Sequence, residues 1–255
     1  AANSIVSSDT TAEITASTAV ANLQGLLGAN IQAASDISDV VVNTGNVANS
    51  TVSLNANSQT ASATGSTSTQ SLSLNASSIT GEGLAATVGD GGGAPSVQLA
   101  ADADAVVANV QTLGSSDVNS FVNNDEIGIS VSNTDSVVNS TLEVDGNNQS
   151  AATTGLQTAN TLSLTSGAEM SAAGAVASVQ VINGELTADT SGNRITNRVN
   201  DEDYSVTATS VLTTNNQIDA NVTGATATNR LVTTSGTNNL SVSSNAGTVD
   251  TNPGA

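Results

Sequence analysis

The chain has 255 residues and 24.8 kDa, with 22 acidic against 3 basic residues and a formal net charge of −19. It contains no Cys, His, Lys or Trp. That removes disulfides, thiolate and imidazole metal sites, Ser-His relays, Schiff bases and the phosphate-gripping lysine. A polyanion would meet this charge with only Arg194, Arg198 and Arg230 to offset it. Nucleic-acid binding and attraction to an anionic membrane are therefore both disfavoured. No run of about 20 apolar residues exists, so no helical span is expected.

Serine, threonine and asparagine number 36, 35 and 30, together 101 of 255 residues. These are weak helix formers, and the apolar residues are nearly all Ala, Val, Leu and Ile. Phe121, Tyr204 and Met170 are the single residues of their types. A thin core of small aliphatic side chains repeated along an axis fits this composition better than a core built on aromatic area.

Taken in chain order, Ala1-Ala2-Asn3-Ser4 would suit a mature N-terminus left after removal of a signal peptide. The next stretch, SIVSSDTTAEITASTAVANL, is β-branched and free of Pro. It reads as a first strand, or as a donor strand for a neighbouring subunit. Ala19–Leu27 and Ala101–Leu113 fit a short helix, a strand or a loop equally. Residues 49–74 and 139–164 align without a gap at an offset of 90, with 11 of 26 positions identical. Asn49/Asn139, Gln59/Gln149, Gly65/Gly155 and Leu72/Leu162 anchor this repeat. Between the copies, Gly89–Pro95 reads as a flexible hinge or loop and 115–127 as an inserted loop. A looser third copy at 215–231 is matched through Gln217, Gly224 and Leu231. The segment 191–204 gathers Arg194, Arg198, Asp201, Glu202, Asp203 and Tyr204.

Alternating apolar pairs mark short strands at Val52/Leu54, Leu72/Leu74, Leu142/Val144 and Leu162/Leu164, with a 20-residue step inside each repeat. Asp145-Gly146-Asn147 and Ser166-Gly167 supply turn chemistry between such runs. The predicted fold is all-β: a β-solenoid with coils of about 20 residues, roughly 4.8 Å apart. A pilin-like β-sandwich is the alternative. The chain divides into an N-terminal strand segment at 1–48, a first repeat block at 49–138, and the second and third blocks at 139–255.

The N-x-Q-x-A-x-x-T-G…N-x-L-x-L pattern resembles the β-strand-repeat surface proteins of bacteria, in the style of curli-type fibre subunits and holdfast-anchoring proteins. The repeat is not a strict tandem array, and aromatic residues are missing. The resemblance implies a secreted subunit that polymerises or coats the cell. The expected partners are copies of itself and cell-surface polysaccharide.

No residue is assigned a catalytic role, because no serine has a His or Lys to activate it. No cofactor is assigned. The weak candidates for a calcium site are Asp102, Asp104, Asp201, Glu202 and Asp203, since Ca²⁺ takes oxygen ligands. The Asp-x-Asp-x-Asp-Gly loop is absent, and solvated turns account for these residues better than a metal site does. Sequons stand at Asn49, Asn75, Asn139, Asn148, Asn221 and Asn239. The resulting expectation is a non-enzymatic structural subunit of an extracellular fibre, adhesin or biofilm matrix that assembles by strand addition. Alternatives are a donor-strand pilin, an S-layer or phage-fibre subunit, and a calcium-dependent carbohydrate-binding module.

Overall fold

A computed structural model describes residues 2–16, 18–36, 39–81, 85–89, 96–102, 104–132, 136–167, 170–171, 174–199, 206–235, 240–241 and 249–252. The described chain is strand and turn throughout, ordered as three stacked rungs. Strand β1 (Ala2–Ala16) comes first. The first rung follows as β2 (Thr18–Leu26), β3 (Ile31–Asp36), β4 (Val40–Thr44), β5 (Val47–Ala48), β6 (Thr51–Asn55) and the long β7 (Ser58–Gly81). Strands β8 (Ala85–Gly89) and β9 (Ser96–Asp102) form an antiparallel pair leading to the second rung.

The second rung repeats the course as β10 (Ala105–Leu113), β11 (Val118–Asn123), β12 (Glu126–Val131), β13 (Val137–Val138), β14 (Thr141–Asp145), β15 (Asn148–Ser166) and β16 (Met170–Ser171). The third comprises β17 (Gly174–Ile182), β18 (Leu186–Asp189), β19 (Arg194–Val199), β20 (Val206–Thr207), β21 (Ser210–Thr214), β22 (Gln217–Ser235) and β23 (Leu240–Ser241). Strand β24 (Val249–Asn252) returns to pair antiparallel with β9.

Each strand of the second rung pairs parallel with its counterparts on both sides, as in β22-β15-β7 and β17-β10-β2. This is a β-solenoid. Its rungs are far longer than the predicted 20-residue coil. Gln149 lies against Gln59, 90 residues away, and Asn160 against Asn229, 69 residues away. The 20-residue step separates two segments of one rung, namely β6 or β14 from the far end of β7 or β15. Three rungs at strand spacing give a stack of about 14 Å.

Within a rung the chain runs out along β2, β3 and β4, turns at β5, and returns along β6 and β7. The long return strand packs on β2 and β3, and β14 packs beside β12. Inward residues alternate with outward ones along β11 and β15, as the sequence pattern requires. Stacking sets like on like: Leu72, Leu162 and Leu231 form one column, joined by Val20, Leu74, Val107 and Leu164 in the largest apolar cluster. At the turn end, Ile129, Val131, Leu142 and Val144 form another. Strand β10 is buried along its whole length, because its second face also packs against β8 and β9. Its sequence, AVVANVQTL, places apolar residues on both faces because both are covered, and its buried Asn109 and Gln111 are satisfied by side-chain hydrogen bonds. This settles Ala19–Leu27 and Ala101–Leu113 as strand-forming segments. The segment 115–127 contains β11 and the start of β12, so it belongs to the rung and is not an inserted loop.

Candidate functional site

The corners of the rungs stack as strictly as the strands. Asn49, Asn139 and Ala208 share a left-handed backbone, with φ of 52°, 48° and 51°. Ala56, Gly146 and Asn215 form a second such column, at 56°, 64° and 53°. Four of the six are asparagine or glycine, the residues that adopt this region most readily, while Ala56 and Ala208 are held in it by the corner. The Ser50, Ser140 and Thr209 hydroxyls each donate to the carbonyl two residues back, one identical bond per rung.

Polar ladders run along the stack. Gln180 Nε2 donates to Gln111 Oε1 at 2.8 Å, and Gln111 Nε2 donates to Gln24 Oε1 at 3.0 Å. A second ladder joins Asn57, Asn147 and Asn216. Asn57 Nδ2 donates to Asn147 Oδ1, and Asn147 Nδ2 to Asn216 Oδ1, each at 2.9 Å. Amide ladders of this kind satisfy buried polar groups between layers and hold the register. Between the two legs, Asn109 Oδ1 accepts from Asn22 Nδ2 at 2.6 Å and from Ser68 Oγ at 2.9 Å, while Asn109 Nδ2 donates to Thr158 Oγ1 at 3.0 Å. The interior is thus polar as well as aliphatic, and hydroxyl and amide groups take the place of aromatic bulk.

The repeat residues sit at these places in the stack. Asn49 lies beside Asn139, whose Nδ2 reaches Asn49 Oδ1 at 3.4 Å. Gln149 Nε2 donates to Gln59 Oε1 at 2.7 Å. Gly65, Gly155 and Gly224 stack, as do Leu72, Leu162 and Leu231. Gln217 is a correction: it stands against Asn148, and the place below Gln149 is taken by Ile218. Gln149 Oε1 accordingly has no hydrogen-bond partner among the described residues.

The Gln24–Gln111–Gln180 and Asn57–Asn147–Asn216 ladders went unread in the sequence. Asn57/Asn147 lies inside the gapless 90-residue repeat, but Asn216 lies in the copy matched one place out of step. Gln24 and Gln111 are 87 residues apart. Two residues separate Thr44 from Val47, whereas five separate Val131 from Val137, and these three extra residues shift the frame.

Of the calcium candidates, Asp104 is half-buried before β10, and Asp102 ends β9. Asp201, Glu202 and Asp203 lie outside the described residues. No group of three acidic residues able to hold a metal ion occurs among the described residues. No helix there is long and apolar enough to cross a membrane.

The surfaces that stand out are the two ends of the stack. Among the described residues, no strand pairs with the outer edges of β17 to β22, nor with those of β2 to β6. On the first rung, β1 covers only the far half of β7, from Thr69 to Gly81. The large exposed apolar residues lie on these two rungs: Leu23 and Leu27 on the first, and Val206, Val211, Leu212, Ile218 and Val222 on the third. All three arginines are on the third rung. Arg198 lies 2.8 Å and Arg194 3.4 Å from the Glu126 carboxylate of the second rung. On the opposite side of Glu126, its backbone N–H donates to Asp39 Oδ1 of the first rung at 2.8 Å. The stack is therefore polar, acidic at one end of this column and basic at the other.

Neither a family model, nor a curated protein, nor a solved structure matches this chain.

Proposed function

We propose that the chain is a structural subunit of a secreted extracellular fibre, adhesin or biofilm matrix, that it carries no enzymatic activity, and that it self-assembles by addition of β-strands. The observation that carries this reading is the pair of open parallel edges. Each presents a row of backbone N–H and C=O groups beside exposed apolar side chains. Such an edge is a template for a further strand, and stable monomers blunt it with lysine, proline or a covering element. Here there is no lysine, and neither of the two prolines, Pro95 and Pro253, falls within the sequence of β2 to β6 or of β17 to β22. The acidic, hydroxyl-rich outer faces keep an assembled polymer hydrated and limit lateral clumping.

Negative-stain electron microscopy of the purified chain, with and without a calcium chelator, tests the proposal. Filaments of uniform width under both conditions support it. Dispersed particles under both conditions overturn it in favour of a pilin, S-layer or phage-fibre subunit that needs a separate assembly partner.

A second reading, binding of cell-surface polysaccharide, is favoured by a shallow open recess beside the one phenylalanine. Phe121 lines it together with Gln32, Asn123 and Asn124. An apolar ring bordered by amides is suitable chemistry for a sugar face. Loss of glycan retention on Phe121→Ser would support it.

A further inference from the structure

Gly224 is a glycine for which the single chain supplies no reason. In its column, a Cβ on Gly65 would press against the carbonyl oxygen of Gly155, and a Cβ on Gly155 against the carbonyl oxygen of Gly224. Each glycine makes room for the rung below it. A Cβ on Gly224 meets nothing within 4 Å. Its backbone φ also lies outside the left-handed region that favours glycine. The room is kept for a rung that this chain does not provide.

Two further features say what that rung is. The Gln24–Gln111–Gln180 ladder is directional, with Gln180 Nε2 and Gln111 Nε2 both donating toward the first rung. A next layer beyond Gln24 that offered an amide oxygen would continue it, and at the far end Gln180 Oε1 is the amide oxygen that takes no donor from within the ladder. Likewise, the column Asp39–Glu126–Arg194 begins with an anion and ends with a cation, so end-to-end repetition sets Arg194 beside Asp39.

From these we infer that the occupant of each open edge is a second copy of this chain, with the third rung of one copy stacked in parallel register on the first rung of the next. The pairs so formed are Gln24 with the neighbour's Gln180, Asp39 with Arg194, Gly65 with Gly224 and Leu72 with Leu231. This contact is heterologous and open-ended, so it propagates. It advances by about 14 Å per copy. It also requires that β1 move. β1 pairs in parallel with Thr69–Gly81, the seat that the neighbour's residues from Thr228 onward would take. β1 is thus a strand held in the place of the incoming one, and it leaves as the next copy docks.

The inference rests on the self-assembly reading, and the tests separate the two. The chain has no cysteine, so a Gln24→Cys/Gln180→Cys variant introduces its only thiols. Within one chain these positions are two rungs apart, about 10 Å, too far for a disulfide; across the proposed contact they are one strand spacing apart, within reach. Oxidised filaments of this variant are expected to run as covalent multimers on a denaturing gel. Gly224→Ala is expected to fold like the parent by circular dichroism and to form filaments at least about tenfold less well. Hydrogen exchange is expected to show amides 2–16 losing protection on assembly while 69–81 keep theirs. Filaments without cross-links, and undiminished by Gly224→Ala, overturn this register and leave the assembly reading standing. Protection retained at 2–16 overturns the displacement of β1. A parent chain that never polymerises overturns both.

Discussion

The second and third rungs are built from nearly the same pattern, yet their residues live in different environments. Leu142 is fully buried, whereas Val211, beneath it in the same column, is 43% exposed. Gln149 is fully buried and Ile218 is 42% exposed. The second rung has a hydrogen-bonded neighbour on both sides and the third on one. Amphipathic alternation is therefore not enough to bury a side chain in this fold. In these two columns the side chain is fully buried where the rung above and the rung below both exist, whereas β17, packed against the interior, keeps Ala175 buried with one neighbour. Stability is then nearly a sum of rung and contact terms, as in other repeat proteins, and the terminal rung carries half the contacts of the central one.

The sharpest way to break this contrast is the glycine column. Gly155→Ala forces a methyl group against the third rung's backbone and is expected to cost about 2–3 kcal/mol in chemical denaturation. Gly224→Ala in the dispersed chain should shift the midpoint little, because nothing there opposes it. Equal effects would mean that the third rung is not an open edge.

The leucine column gives a smaller difference. Leu162→Ala creates a cavity in a fully buried site and should cost about 2–4 kcal/mol. Leu231→Ala, half-buried and facing the open end, should cost about half as much or less, by the same unfolding measurement. Ile218→Gln is expected to stabilise by about 1 kcal/mol, since its amide would donate to the unpartnered Gln149 Oε1. The gain should disappear when Gln149 is replaced by Leu, which a double-mutant cycle reads directly.

The smallest effect is electrostatic. Thr214 Oγ1 donates to Asp145 Oδ1 at 2.6 Å and Asn215 Nδ2 at 2.9 Å. The Thr214 bond first, and the Asn215 bond second, hold the carboxyl below its ordinary value. Because the folded pKa is depressed, the stabilisation is fully present above the unfolded pKa of about 3.9 and is lost as pH falls through the folded value. An NMR titration should show Asp145 protonating later than a free aspartate on acidification, and Thr214→Val should move it back up.

How much of this was legible in the sequence follows from the spacing of the rungs. The second half of each rung, from Asn49 and Asn139 onward, repeats without a gap, so its columns could be read residue by residue. The first half could not. Twenty-eight residues separate Ala76 from Ala105, but only seven separate Ser166 from Gly174, because β8 and β9 lie in the first connection alone. The offset drops from 90 to 69, and the third copy falls out of step. Strand type was legible from alternation, and coil length was not, since period-2 alternation is the same in a short coil and in a long rung. Gln217 stands one position out of register with Gln149 despite its matching residue type, because Ile218 occupies the glutamine's place. The charge polarity of the stack could not be seen until Asp39, Glu126 and Arg194 were brought side by side.

Placing every cation on the third rung also makes that rung the chain's single target for a protease that cuts after basic residues. Cleavage can follow only Arg194, Arg198 or Arg230, and each lies in a strand already paired on one side. The first two rungs offer such an enzyme no scissile bond at all. Digestion therefore reads the free end of the stack, fast where that end is bare and slow where another strand covers it.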